Sequence, residues 1–294
     1  MKRPLIGLCL AVVFLAACHT ARTQNEPQVI VVPPDEMSRQ PSLGPSTAGA
    51  PPAAATAAPV KPSATYASLP SAAAAPANKH SYNSCNVDGP YIAITFDDGP
   101  HAVHTPKLLD MLKQRGIKAT FYVVGKCAAE YPDIMKRIAA EGHEIGNHSW
   151  SHVALNSVGA DSLRKQMENT NAAIAQSTGI RPATMRPPYG ATSARLNKLF
   201  DEEYGMKVIL WSVDPLDWKN RNAATVSSRI IQNTHPGAII LAHDIHATTV
   251  AAMPEVFDTL TAKGYKFVTV SELLAMDRPA QLVKKETAAA TPAN

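Results

Sequence analysis

The chain has 294 residues, 45% of them hydrophobic, which is enough for one large domain or two modest ones and too much for a peptide-sized scaffold held by disulfides. Charged residues make up 18% against a typical ~25%, and the formal net charge is +4. There is no polyelectrolyte tail and no basic face of the kind a phosphate backbone requires, so nucleic acid is not an expected partner.

Lys2 and Arg3 open the chain, and Leu5 to Ala17 follow as 13 residues without a charge. That is the length of the apolar stretch of an export signal and too short to cross about 30 Å of hydrocarbon. The stretch closes on Leu15-Ala16-Ala17-Cys18, which resembles the lipobox of bacterial lipoproteins. The resemblance implies a signal peptide over 1–17 and a mature chain that begins at lipidated Cys18. Such a chain is anchored to a membrane through its N-terminal lipid, outside the cytoplasm, on the periplasmic side or at the cell surface. Two or more acyl chains, at roughly 0.8 kcal/mol per buried methylene, hold far more firmly than one. An ordinary cleaved signal with an incidental Cys18 is the alternative.

Twelve of the 24 prolines lie in the first 80 residues, and from 41 to 80 Ala, Pro, Ser and Thr supply 30 of 40 positions. Such side chains bury too little surface to offset chain entropy. Residues 18–84 therefore read as a lipidated cysteine and a disordered tether, with a span on the order of 45 Å. Setting aside the signal's Lys2 and Arg3 leaves 26 basic against 24 acidic side chains, so the mature charge falls to +2. Cys9 departs with the signal and Cys18 takes lipid, which leaves Cys85 and Cys127. In an oxidising compartment they either bridge or remain two free thiols.

From Tyr91 onward β-rich runs alternate with amphipathic stretches. Strands are predicted at Tyr91–Phe96, Lys118–Val124, His143–Gly146, Ala183–Arg186, Lys207–Trp211, Ala238–Leu241 and Tyr265–Val270. Helices are predicted at Pro106–Arg115, Pro132–Glu141, Ala160–Ser177, Ser193–Tyr204, Ala223–Asn233 and Val250–Lys263. Gly116, Gly142, Gly179, Gly205 and Gly264 stand where helix C-caps belong. Repeated β-then-α implies a parallel sheet covered by helices, and seven units favour a closed or nearly closed barrel over an open doubly wound sheet. One domain is expected over 85–276, acting as a monomer, with a disordered tail over 277–294.

In such folds chemistry collects where strands end at the carboxyl face. The first strand runs into Thr95-Phe96-Asp97-Asp98-Gly99-Pro100, and adjacent carboxylates at a buried rim call for something cationic. The third leads to Asn147-His148-Ser149-Trp150-Ser151-His152, whose histidines, four apart, fall on one face of a helical turn. Asp98, His148 and His152 would supply three ligands and leave positions open, as at a catalytic metal. The fourth precedes Arg186-Pro187-Pro188-Tyr189-Gly190, where an inward guanidinium could hold a carboxylate in bidentate fashion. Asp214-Pro215-Leu216-Asp217-Trp218 follows the fifth, and Ala242-His243-Asp244 the sixth. Trp150, Trp211 and Trp218, all three tryptophans, lie in or beside these loops.

Taken in order, Thr95-Phe96-Asp97-Asp98-Gly99, His148-Ser149-Trp150-Ser151-His152, Arg186-Pro187-Pro188-Tyr189-Gly190, Asp214-Pro215-Leu216-Asp217-Trp218 and Leu241-Ala242-His243-Asp244 resemble the five motifs of the polysaccharide deacetylases, the NodB-homology or carbohydrate esterase family four proteins. The resemblance covers about 91–275, with Met185 where many members carry an aromatic residue. It implies a single distorted (β/α) barrel, one divalent metal, usually Zn2+, and hydrolysis of acetyl groups from sugar polymers. By the same resemblance Asp97 is the general base oriented by Arg186, and the backbone N–H of Tyr189 stabilises the oxyanion. His243 is the general acid held by Asp217, and Trp218 and Leu241 line the acetyl pocket. Peptidoglycan or a chitin-like chain of N-acetylglucosamine is the expected substrate. An O-acetyl esterase acting on xylan-like chains and a silent glycan-binding lipoprotein are the alternatives.

Overall fold

A computed structural model describes residues 79–278. The expected signal peptide and lipidated Cys18, most of the expected tether and most of the expected tail lie outside the described residues. Eight strands are formed: β1 Ser81–Tyr82, β2 Tyr91–Asp97, β3 Thr120–Val123, β4 Glu144–Asn147, β5 Thr184–Met185, β6 Lys207–Ile209, β7 Ile239–His243 and β8 Lys266–Phe267. The helices are α1 His104–Arg115, α2 Gly125–Glu130, α3 Pro132–Ala140, α4 Ala160–Thr178, α5 Ala194–Tyr204, α6 Ala223–Asn233, α7 Ala247–Ala262 and α8 Val270–Ala275.

All ladders between these strands are parallel, in the order β1-β6-β5-β4-β3-β2-β7, with β8 added to β2. The two ends of the path meet through isolated bridges, Ser84 to Ala238 and Val213 to Ile240, and not through a strand ladder. The predicted barrel is thus distorted and incompletely closed.

Alternation on the strands assigns the two faces. On β2, Ile92, Ile94 and Phe96 pack outward with Leu108, Leu109 and Leu112 of α1 and with Met253, Val256 and Phe257 of α7. Each fully buried side chain of this kind contributes about 1.5–3 kcal/mol. On the other face Ala93 joins Tyr82, Tyr122, Ile209 and Ile239 in an inner cluster. Val270, Leu273 and Leu274 of α8 close that cluster from below. A capping box of Thr269 and Glu272 starts α8, and buried Glu144 receives the Ser271 N–H at 2.8 Å.

Two expectations change, and the choice left open for the cysteines closes. Lys79 to Ser84, assigned to the tether, belong to the fold: Tyr82 is buried, and β1 pairs with β6. A two-residue strand is too short to show alternation. The predicted strand Tyr265–Val270 reduces to β8, because the Thr269 hydroxyl caps a helix instead. Cys85 and Cys127 are free thiols. Cys85 donates its N–H to Gly237 O just before β7 begins, whereas Cys127 sits in α2 beyond the end of β3, so the two lie at opposite rims. The short helix α2, opening on Gly125, carried no periodic signal.

Candidate active site

Register brings the predicted residues to one rim. Asp97 at the end of β2 is the lateral partner of His243 at the end of β7, and Asn147 on β4 pairs with Met185 on β5, so His148 and Arg186 leave the sheet side by side. The loops beyond are held in unusual backbone. The positive-φ non-glycine residues of the described chain are Asp98, Ser149, His152, Tyr189 and Leu216, with φ between 54° and 73°, and every one lies in a motif loop. Each costs on the order of 1 kcal/mol and persists because its surroundings over-determine it. His148 and His152 therefore converge through two left-handed residues in an irregular loop, not on a helical turn as their spacing predicts.

Asp98, His148 and His152 present ligand atoms all within 4.8 Å of one another. His148 Nδ1 lies 2.7 Å from Arg186 O, and a carbonyl can only accept, so the proton sits on Nδ1 and Nε2 keeps its lone pair. Tyr189 donates its hydroxyl to His152 O at 3.3 Å and lies 3.2 Å from His152 Nδ1, so this ring too turns Nε2 into the site, and against its burial Asp98 raises the imidazole pKa. Both Nε2 atoms face Asp98 Oδ1, at 3.3 and 3.1 Å, and this buried oxygen accepts no aligned hydrogen bond. Two ring nitrogens and a carboxylate oxygen converging on one point fit a cation, and two imidazoles with one carboxylate suit a zinc-like divalent ion.

Asp97 does not share that role. Arg186, fully buried, donates from Nη1 to Asp97 Oδ1 at 2.7 Å and to Thr95 Oγ1 at 2.6 Å. Its Nε and Nη2 reach Ile209 O and Leu210 O, each at 3.1 Å, and its plane lies 4.3 Å from the centre of the Tyr122 ring. One carboxylate oxygen is thus occupied, and Oδ2 is left 3.7 Å from His148 Nε2. The pairing with Arg186 is single-pronged, not the bidentate fork expected.

Across the rim Asp217 Oδ1 lies 2.8 Å from His243 Nδ1, and Oδ2 accepts the His243 backbone N–H and the Thr249 hydroxyl, each at 2.8 Å. Burial opposes a charge on His243, but Asp217 outweighs it and pushes the imidazole up to about 10. Asp217 itself stays below the usual carboxylate range against its own burial, held there by His243. Trp218 follows Asp217 directly, and Leu241 precedes His243 by two positions on the same face of β7.

Several supporting residues were not singled out from sequence. Gln166 on α4 accepts the N–H groups of Trp150 and Ser151 at 2.8 and 2.9 Å and clamps the histidine loop. The Thr105 hydroxyl of α1 donates to Asp244, whose carboxyl burial pushes up to about 7. Gly99 packs on that carboxylate so closely that a Cβ would sit 2.4 Å from Asp244 Oδ1. Amide and hydroxyl residues on helices are too common for any of these to stand out.

The fold and rim define an α/β protein with a metal-competent triad flanked by a buried Arg-held carboxylate and an Asp-held histidine. The polysaccharide deacetylase family profile matches residues 85–209. A peptidoglycan-N-acetylglucosamine deacetylase of Bacillus cereus is 40% identical over 193 residues, 63% of this chain and 70% of that protein. The peptidoglycan-N-acetylglucosamine deacetylase PgdA of Listeria monocytogenes is 45% identical over 182 residues, 62% of this chain, but the match spans only 38% of that protein's length. The crystal structure of the Bc1960 peptidoglycan N-acetylglucosamine deacetylase superposes with a TM-score of 0.64 at 36% identity, covering 68% of this chain and 96% of that one. This chain belongs to the polysaccharide deacetylase family, with its NodB-like fold.

Proposed function

We propose that this protein is a metal-dependent hydrolase that removes N-acetyl groups from N-acetylglucosamine residues of peptidoglycan. The observation that carries the reading is the division of labour at the rim: Asp98 joins the Nε2 atoms of two histidines, while its neighbour Asp97 is turned away onto Arg186. The names of the relatives direct it toward peptidoglycan rather than a chitin-like chain. A lipid on Cys18 and a tether ahead of Lys79 would place the domain outside the cytoplasm within reach of the wall.

Amide hydrolysis needs a stronger nucleophile than water and a better leaving group than an amine anion. A divalent ion held by Asp98, His148 and His152, by its donor set Zn2+, supplies Lewis-acid chemistry when bound, acidifying a water and polarising the acetyl oxygen. Asp97 takes the proton of the attacking water on Oδ2, Arg186 holding Oδ1 so that the free oxygen faces the reaction. As charge develops on the acetyl oxygen, the Tyr189 backbone N–H, presented by a left-handed turn at φ 61°, donates to it. His243, protonated through its pairing with Asp217, delivers a proton to the departing nitrogen. Trp218 and Leu241 receive the methyl group.

Metal content and acetate release, measured together, test these assignments. Asp97→Asn retains metal and loses turnover by about a hundredfold or more, whereas His148→Ala loses both. Loss of metal from Asp97→Asn would mean that the two aspartates have been assigned the wrong way round.

A further inference from the structure

The Asp214–Arg221 loop carries two cations that this chemistry leaves unused, Lys219 and Arg221. Arg221 is exposed but anchored: Nη1 donates to Asp217 O at 2.7 Å, which fixes the guanidinium beside the residue that holds His243. The Asp217 carboxylate cannot answer it. Oδ1 is shared by His243 Nδ1 and the Trp218 N–H, and Oδ2 by the His243 N–H and Thr249. Arg221 Nε and Nη2 therefore have no acceptor among the described residues.

The groups around it are no better matched. His246, which starts α7 with its ring 5.9 Å from that of His243, is pushed down to about 4, first by burial and then by the charges of Arg221 and His243. Asp214, on the same loop, accepts the Leu216 N–H at 2.7 Å, and burial raises its carboxyl. One flank of the His243 side of the rim thus offers a planar cationic fork with free donors; Asp217 acts on it through charge alone, and no carboxylate among the described residues hydrogen-bonds it, the arrangement that carboxylate recognition uses.

Building on the peptidoglycan reading above, we propose that Arg221 is a carboxylate subsite, engaging an acidic substituent on the sugar next to the one being deacetylated. Chitin-like chains carry no such group. Peptidoglycan carries carboxylates in two places: on the lactyl group of peptide-free muramic acid, or along the stem peptide when that lactyl carboxyl is amidated.

Three soluble substrates separate the sources: neutral chitotetraose, peptide-free chains of alternating N-acetylglucosamine and N-acetylmuramic acid, and the same chains bearing stem peptides. Arg221→Ala is expected to lower kcat/KM about tenfold on the carboxylate-bearing chains, mainly through KM, and to leave chitotetraose unchanged. Added salt should erode the wild-type preference and not the variant's. Loss on peptide-free chains assigns the lactyl carboxylate, and loss confined to peptide-bearing chains assigns the stem. Equal loss on all three substrates would reveal a structural role through Asp217, and no loss on any would remove the subsite; either result overturns the proposal. Binding of the same chains to Asp97→Asn, with and without Arg221→Ala, reads the subsite apart from turnover, so a failure of acetate release by the wild type remains distinguishable from a failure of the subsite.

Discussion

Asp217 serves His243 twice, through the ring Nδ1 and through the backbone N–H, and the Thr249 hydroxyl completes its shell. The unfolded imidazole titrates near 6.5 and the folded one near 10, so the pair's contribution to stability is fully present below about pH 6.5 and is lost as pH rises through about 10. In the proposed mechanism activity follows the same sign, because a general acid works protonated. Asp217→Asn removes the charge, returns His243 toward its burial-lowered value, and should move the alkaline limb of kcat to lower pH by more than one unit. An unmoved limb would separate Asp217 from the acid. Thr95 makes a second case: its hydroxyl donates to Ile240 O and accepts from Arg186, both at 2.6 Å. Thr95→Val should lower kcat about tenfold or more at nearly constant KM, with Thr95→Ser restoring it. The charged residues of the site were legible because carboxylates and histidines after apolar strands are rare. Thr95 stood in a quoted motif, yet nothing in the sequence distinguished a hydroxyl that locks Arg186 from one that merely fills a strand.

At the scale of elements, period-2 and period-3.6 patterning located seven strands and six helices, because each buries one face against another layer. It missed β1, α2 and α8, which are two or six residues long, and it gave the histidine loop the wrong local geometry. Backbone in the left-handed region is set by the surroundings, here by the Gln166 clamp from α4 and by Asn147, whose Oδ1 accepts the Ser149 N–H at 2.8 Å. Asn147 stands two residues before Ser149, the spacing of an Asx turn, but Gln166 is 15 and 16 residues from the groups it clamps, beyond what spacing reveals. Gln166→Ala should therefore weaken metal binding about tenfold to a hundredfold, as loss of an outer support does. Metal titration by calorimetry measures it, and an unchanged affinity would show the loop to be self-sufficient.

For the molecule as a whole, the 45% hydrophobic fraction overstated the core, since many of those residues are alanines before residue 79. The near-neutral charge balance left the partner undetermined, and the curated relatives are peptidoglycan deacetylases. The Cys85–Cys127 alternatives were settled by topology, because crossing from the start of β7 to the end of β3 spans the sheet. The central claim is that the rim of Asp97, Asp98, His148, His152 and His243 hydrolyses amide-linked acetyl groups with a bound divalent ion. Acetate released from intact peptidoglycan, chitooligosaccharides and acetylxylan by the full chain, with Zn2+ and with a chelator, tests it most directly. Release from peptidoglycan is expected, abolished by the chelator and restored by added metal. Release confined to acetylxylan, or no release from any of the three with metal present, would contradict it.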